Sequence, residues 1–197
     1  MVERPILMSG PMVRAILEGR KTQTRRVIKV QPVQSKTDPA VYGWGGEDGC
    51  FYATTDTDDL VCPYGVPGDR LWVRETWTVH FPQYIKDADE PTCYRADYSN
   101  KELRETLLPS WRPSIHMPRA RCRLVLEVTG VRVERLQAIS DADALAEGVE
   151  HLPQCVGPGI DHRTSYVALW DSLNAKRAPW ASNPWVWVVE FRRLDER

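Results

Sequence analysis

The segment "NPWVWVVEF" near the end of the chain restricts the fold more than any other. Trp185, Trp187, Val189 and Phe191 alternate with Val186 and Val188. Successive side chains of a strand point to opposite faces, so both faces of this strand are apolar. Such a strand must be covered on both sides. A second strand signal is the alternation of Cys122, Leu124, Leu126 and Val128 with Arg123, Val125, Glu127 and Thr129. Shorter extended runs are expected at Ile6 to Met8, over "TQTRRVIKV", and from Arg70 to Trp77.

Helices are expected between these strands. Ser9 and Gly10 can cap a helix that has Pro11 in its first turn, and Met12, Val13, Ile16 and Leu17 fall on one face. Gly19 is its stop. "ISDADALAEGV" reads as a short helix capped by Ser140 and ended by Gly148. "TSYVALWDSLNA" reads as another, with Tyr166, Val167, Trp170 and Leu173 on one face. Strands and helices do not alternate as βαβ units. The fold class expected is therefore α+β, a small mixed β-barrel of about five to seven strands flanked by short helices.

A chain of 197 residues suits a single domain, here with insertions at about 31–64 and 78–110. The first insertion holds a Gly-rich hairpin, "VYGWGGEDGCFYA", and an acidic run, "TTDTDDL". The second holds a possible strand, "TCYRADY", and a short helix over 101–107. The net charge is −1, so any polyanion site must be a local patch. The five Cys are irregularly spaced with no CxxC, which argues against a disulfide framework and against a zinc site. No apolar stretch is long enough to span a membrane, and no secretory signal opens the chain. The expectation is a cytoplasmic protein without a metal or cofactor.

Four stretches carry candidate chemistry. In "EGRKTQTRRVIKV", Arg20, Lys21, Arg25 and Arg26 crowd around Thr22 and Thr24. Like charge lowers a lysine pKa, and such an amine can activate a hydroxyl. The alternative is a solvated basic strand. In "LAEGV", Glu147 sits in the last turn of a helix, where the macrodipole disfavours a carboxylate; it is either a site acid or an exposed helix acid. In "SWRPSIHMPRARCR", Trp111 and His116 alternate with Arg112, Arg119, Arg121 and Arg123, a pattern suited to base stacking plus phosphate contact, and equally to an edge strand with a wet arginine face. In "RLWVRETW", Arg74 and Glu75 lie between Trp72 and Trp77. A carboxylate there needs a partner, so Glu75 is either an internal ion pair or an acceptor for a base.

The segments "ILEGRKTQTRR", "PGDRLWV", "RLVLEVTGVRVERL" with "ISDADALAEGV", and "PWVWVVEF" together resemble the ASCH domain, a small β-barrel of the PUA-like superfamily. "CPYGVPGDRLWVRETW" and "WRPSIHMPRARCR" are similar to the larger phage- and prophage-type members. The resemblance implies a cleft for RNA or a modified nucleoside. Some small bacterial members are amidohydrolases that deacetylate N4-acetylcytidine through a lysine and a threonine in "GRKTxTxR" and a glutamate after the central strand. It would make Lys21, Thr24 and Glu147 the catalytic residues. Arg25 or Arg26 and Trp77 or Trp111 would hold the nucleoside, with Arg20, Arg74, Glu75, Arg112, Ser114, His116 and Arg119 as the rest of the expected binding surface. Two other activities are compatible with the same resemblance: a non-catalytic RNA or modified-nucleotide binding module, and a ribonuclease using His116 with the arginines.

Overall fold

The computed structural model describes residues 1–34, 42–45, 51–53, 61–79, 91–99, 102, 110–149 and 161–194. It is a mixed α+β structure built on one five-stranded sheet. The strands are β1 (Glu3–Leu7), β2 (Gln23–Val27), β3 (Val33–Gln34), β4 (Tyr42–Gly45), β5 (Phe51–Ala53), β6 (Arg70–Arg74), β7 (Trp77–Val79), β8 (Thr92–Tyr94), β9 (Val125–Arg135) and β10 (Trp185–Leu194). The helices are α1 (Gly10–Leu17), α2 (Asp141–Ala146) and α3 (His162–Asn174). The main sheet runs β1-β6-β9-β10-β2, with β3-β4-β5 and β7-β8 as small separate sheets. β1 lies parallel to β6, and the other neighbours in the main sheet are antiparallel.

β10 is buried on both faces, as its sequence requires. Trp187, Val189 and Phe191 pack into one core with Ile6, Met8, Val13, Ile16, Leu71, Val73, Leu126 and Val128. Val186 and Val188 face a second core with Leu136, Ile139, Ala144, Tyr166 and Trp170, which brings in α2 and α3. Each buried Val or Leu contributes roughly 1.5–3 kcal/mol. Two apolar faces on one strand thus fasten helices to both sides of the sheet.

The sheet does not close into a barrel. β1 and β2 are its two edges. β1 stops at Leu7 because the chain turns at Ser9 into α1, where Pro11 has no N–H to continue a ladder. What joins the two edges is the Arg26 guanidinium, which donates to the Leu7 carbonyl at 2.6 Å.

Other elements depart locally from the sequence expectations. The strand expected from Arg70 to Trp77 is broken at Glu75–Thr76 into β6 and β7. The interleaved stretch from Trp111 to Arg123 is not a strand. Pro113 and Pro118 precede two 3-10 turns, Ser114–His116 and Arg119–Arg121, so its aromatic and basic side chains do not line up on two faces. The hairpin in the first insertion and the strand in "TCYRADY" are present as β4-β5 and β8. The acidic run at 54–60 and the helix expected over 101–107 fall outside the described residues, apart from Glu102. No helix among the described residues is long and apolar enough to cross a membrane.

Candidate active site

Arg20, Lys21 and Thr22 connect α1 to β2. Gly19 takes a left-handed conformation (φ +75°) after α1, and Lys21 then forms an isolated bridge with Glu147. Glu147 is the residue that caps the C-terminus of α2, whose start is fixed by a reciprocal capping box between Ser140 and Asp143. Gly148 follows with φ +79°, and a Cβ there would stand 2.8 Å from the Cβ atoms of both Ala15 and Lys21. Only glycine allows the end of α2 to press this closely on α1 and Lys21. That contact sets where Glu147 lies.

The Lys21 side chain is fully buried. Its Nζ donates to Glu147 Oε2 at 2.9 Å, to the Glu147 carbonyl at 2.8 Å and to the Gln23 carbonyl at 2.8 Å. These three acceptors use all the hydrogens an ammonium carries. Burial pulls the Lys21 ammonium below the ordinary lysine value, with Glu147 opposing that pull. Glu147 in turn accepts from Arg25 Nη1 through Oε1, at 3.3 Å.

Arg25 is buried and binds three carboxylates: Glu147, Glu134 at 3.2 Å and Asp143 at 3.3 Å. Arg132 links Glu134, Asp143 and Glu190 on the same face of the sheet. Burial works against the Arg132 charge, but Glu134 and the other two carboxylates outweigh it and hold its pKa above the ordinary arginine value. Gln23 ties its amide to Asp143. The basic segment is therefore not a solvated strand at Lys21 and Arg25. It is an ionic network buried at Lys21, Arg25 and Glu147 that reaches the surface through Glu134, Asp143, Arg132 and Glu190, spanning β2, β9, β10 and α2.

Thr24 lies on the opposite face of β2 from Arg25, opposite Val189. It is 2 % exposed, and its hydroxyl makes no hydrogen bond among the described residues. Thr22 O accepts from Phe191 N, and Ile28 N donates to Trp185 O. By the alternation of an antiparallel ladder, Gln23, Arg25 and Val27 turn their peptide groups away from β10, toward the open edge.

A cleft of about 460 Å³ opens along that edge. Thr24, Arg25, Arg26 and Glu147 line it, facing Met8, Ser9 and Met12 on one side and Tyr166 and Trp170 on the other, with Thr76 and Ser114 at its rim. Burial, with the Glu147 charge adding to it, pushes the Tyr166 phenol well above its ordinary value, so it remains a hydrogen-bond donor. The Nε atoms of Arg25 and Arg26 are buried without a hydrogen-bond partner. Unsatisfied buried donors cost about 1–3 kcal/mol each, and a ligand rich in acceptor oxygens would relieve them. A more apolar recess of about 540 Å³ shares Glu147, Met12, Leu169 and Leu173 with the cleft, and the unpartnered Ser165 hydroxyl lies in its wall.

The other residues singled out from the sequence lie elsewhere. Arg20 pairs with Glu18 and donates to the Gly148 carbonyl, beside the network but outside the cleft lining. Glu75 is buried against Arg123, which binds it through two nitrogens at 2.9 and 3.0 Å and also holds Asp97. Burial pushes Glu75 up, with Arg123 opposing it, and the pair ties the break between β6 and β7 to the segment leading into β9. This is the internal ion pair of the two alternatives for Glu75. Arg74 lies over Trp72 and donates to the Ile115 carbonyl. Trp77 is packed with Val79 and Met117, under the Arg112 guanidinium. Trp111 meets Tyr98 edge-on. Arg119 forms a two-nitrogen pair with Glu3, and His116 is exposed at the end of its 3-10 turn. Of the 111–119 group, only Ser114 lines the cleft.

Sequence reasoning missed Tyr166 and Trp170 as cleft walls, because a helical aromatic stripe reads as core. It also missed Glu134, Asp143 and Arg132, whose partnership with Arg25 depends on strand register. No family model matches the chain, and comparisons with curated proteins and with solved structures return no match either.

Proposed function

We propose that the chain is an ASCH-type amidohydrolase that removes an acyl group from the exocyclic nitrogen of a modified cytidine, N4-acetylcytidine being the simplest case. On this proposal the sheet is an opened form of the PUA-like barrel. The observation that carries it is the unbonded Thr24 hydroxyl sharing a cleft wall with Glu147, which is itself held by Lys21 and Arg25.

In the mechanism, Thr24 Oγ1 attacks the acyl carbonyl carbon and its proton reaches Glu147 through a water in the cleft, because Thr24 leaves β2 on the face opposite Arg25 and its Glu147 partner. The saturated hydrogen bonding of Lys21 suits a supporting role: it orients Glu147 rather than taking the proton itself. The developing oxyanion is stabilised by the unpartnered N–H of Arg26, which leaves β2 on the same face as Thr24. Glu147 returns the proton to the leaving nitrogen as the C–N bond breaks, giving the free cytidine amine and an acyl ester on Thr24. Water, deprotonated by Glu147, then hydrolyses the ester to the carboxylic acid and restores Thr24. The apolar recess offers the acyl group its wall, and Tyr166 and Trp170 offer the base an aromatic one.

A second reading, a binding module without turnover, is favoured by the same saturation of Lys21. A buried lysine with all its donors used also serves as a cross-link between β2 and α2. For a ribonuclease, the base would have to be something other than His116, which does not line the cleft.

Purified protein incubated with N4-acetylcytidine and followed by chromatography separates these readings. Cytidine formed by the wild type and not by Thr24→Ala or Lys21→Ala supports the hydrolase. No cytidine at high enzyme concentration, with retained ligand binding, leaves the binding module.

A further inference from the structure

The cleft wall carries a second hydroxyl, on Tyr166. This residue of α3 packs in the core that contains Val186 and Val188. Those two valines stand opposite Val27 and Arg25 on β2, so Tyr166 lies on the Arg25 and Glu147 side of the strand, away from Thr24. Its ring is fixed between Trp170, tilted, and Trp180, edge-on, with centroids at 6.1 and 6.4 Å. Only 3 % of the residue is exposed. A buried tyrosine ordinarily finds a partner for its O–H. Trp170, its neighbour in the wall, follows that rule, donating its Nε1–H to the Ala178 carbonyl at 2.8 Å. The Tyr166 hydroxyl makes no hydrogen bond among the described residues, and it is not one of the unpartnered polar atoms sealed off from solvent. Phenylalanine would fill the same space between the two tryptophans, so packing does not account for the O–H. The hydroxyl belongs to the cleft that Glu147 also lines, where burial and the Glu147 charge keep it protonated.

We infer that Tyr166 is a further catalytic residue, donating its O–H to ring nitrogen N3 of the cytosine, beside the scissile bond. The inference rests on the cleft being an N4-acylcytidine site. The base then lies across the open edge of β2. Its acyl carbonyl meets Thr24 and Arg26 on one face of the strand, and its N4 and N3, which flank one ring carbon, meet Glu147 and Tyr166 on the other. As the bond between the acyl carbon and N4 breaks, its electron pair passes to N4 and is shared with N3 through the ring. Glu147 supplies the proton that N4 takes up. Tyr166 keeps its own proton and stabilises the charge on N3 by hydrogen bonding. A donor at that position favours amides whose leaving ring carries an acceptor beside the nitrogen, and disfavours those that lack one.

The test crosses one variant with one substrate atom. Tyr166→Phe keeps the ring and removes the O–H. N4-acetyl-3-deazacytidine keeps the amide and replaces N3 by C–H. Tyr166→Phe should lower kcat/KM for N4-acetylcytidine by about tenfold or more, and for the 3-deaza substrate by no more than about twofold. A purely structural role would slow both substrates equally, so the coupling between the two changes is the readout. Calorimetry with cytidine and 3-deazacytidine repeats the cross without turnover. Cytidine should bind Tyr166→Phe about fivefold or more weakly than the wild type, and 3-deazacytidine should bind both alike. Equal slowing of both substrates, or cytidine held equally by both proteins, would overturn the assignment. If the wild type and Tyr166→Phe hydrolyse N4-acetylcytidine equally well, the hydrolase reading stands and the Tyr166 contact falls. If cytidine binding depends on Tyr166 and N3 but no acyl group is ever removed, the contact stands and the hydrolase reading falls. Neither binding nor turnover would remove both.

Discussion

Lys21 Nζ lies 2.9 Å from Glu147 Oε2 and 2.8 Å from the carbonyl oxygen of the same residue, inside a site with almost no access to water. A pair this buried is costly to break from one side, because the remaining group stays desolvated. Removing a single partner typically costs about 3–5 kcal/mol. Lys21→Met and Glu147→Met should each destabilise the fold on that scale in urea unfolding, and the double variant should cost less than their sum by more than about 1 kcal/mol. Single variants costing under about 1 kcal/mol would show that the pair is not a structural tie.

Thr24 gives the opposite balance of stability and activity. Its hydroxyl has no partner to lose, so Thr24→Val should change stability by less than about 1 kcal/mol. The same change removes the proposed nucleophile and should lower turnover of an N4-acylcytidine at least a hundredfold. Thermal melts and steady-state kinetics on one preparation check both halves. A fully active Thr24→Val protein would remove Thr24 from the chemistry.

Gly148→Ala should be damaging although it adds one methyl. The left-handed backbone disfavours any side chain by about 1–2 kcal/mol, and the new Cβ would meet Ala15 and Lys21 at 2.8 Å. A total loss of about 2 kcal/mol or more is expected in denaturant titrations. Activity should fall further than stability explains, because Glu147 must shift.

Asp69 governs a response to acid. Its carboxylate accepts from the Val2 N–H at 2.6 Å and from the Val66 N–H at 3.3 Å, tying β1 to the turn before β6. The Val2 hydrogen bond is the main cause holding its pKa below the ordinary aspartate value of 3.8. The ionised form is thus favoured by folding. Its contribution is present above about pH 3.8 and is lost as pH falls through the lowered folded-state value. Asp69→Asn should flatten the decline in urea stability between pH 5 and pH 2. An unchanged acid profile would remove Asp69 as the source.

How far the sequence led can be judged at particular residues. The two-faced apolar pattern of β10, the Ser140 cap and the left-handed glycines at 19 and 148 are local signals, and the structure follows them. Glu75 and Arg123 are 48 positions apart, and only the β6–β9 register and the position of Asp97 make them partners. Trp111 reads as a stacking platform because its stretch interleaves aromatics with arginines. The prolines at 113 and 118 bend that stretch into turns and leave the aromatics packed. The ring of acids around Arg25 was invisible, since Glu134 comes from β9 and Asp143 and Glu147 from α2, and only the fold brings these to β2.

The unclosed seam between β1 and β2 has a consequence for recognition. A closed cylinder would join these edges with several more main-chain hydrogen bonds, each worth about 1 kcal/mol net. It would also seal off the peptide groups of Arg25 and Val27. The molecule forgoes that stability and keeps a strip of main chain as the floor of its cleft. Whatever lies there meets a hydrogen-bonding pattern set by strand geometry alone. Side-chain exchange along the walls can then change which ligand is preferred while leaving the floor, and the way a ligand is laid along it, unaltered.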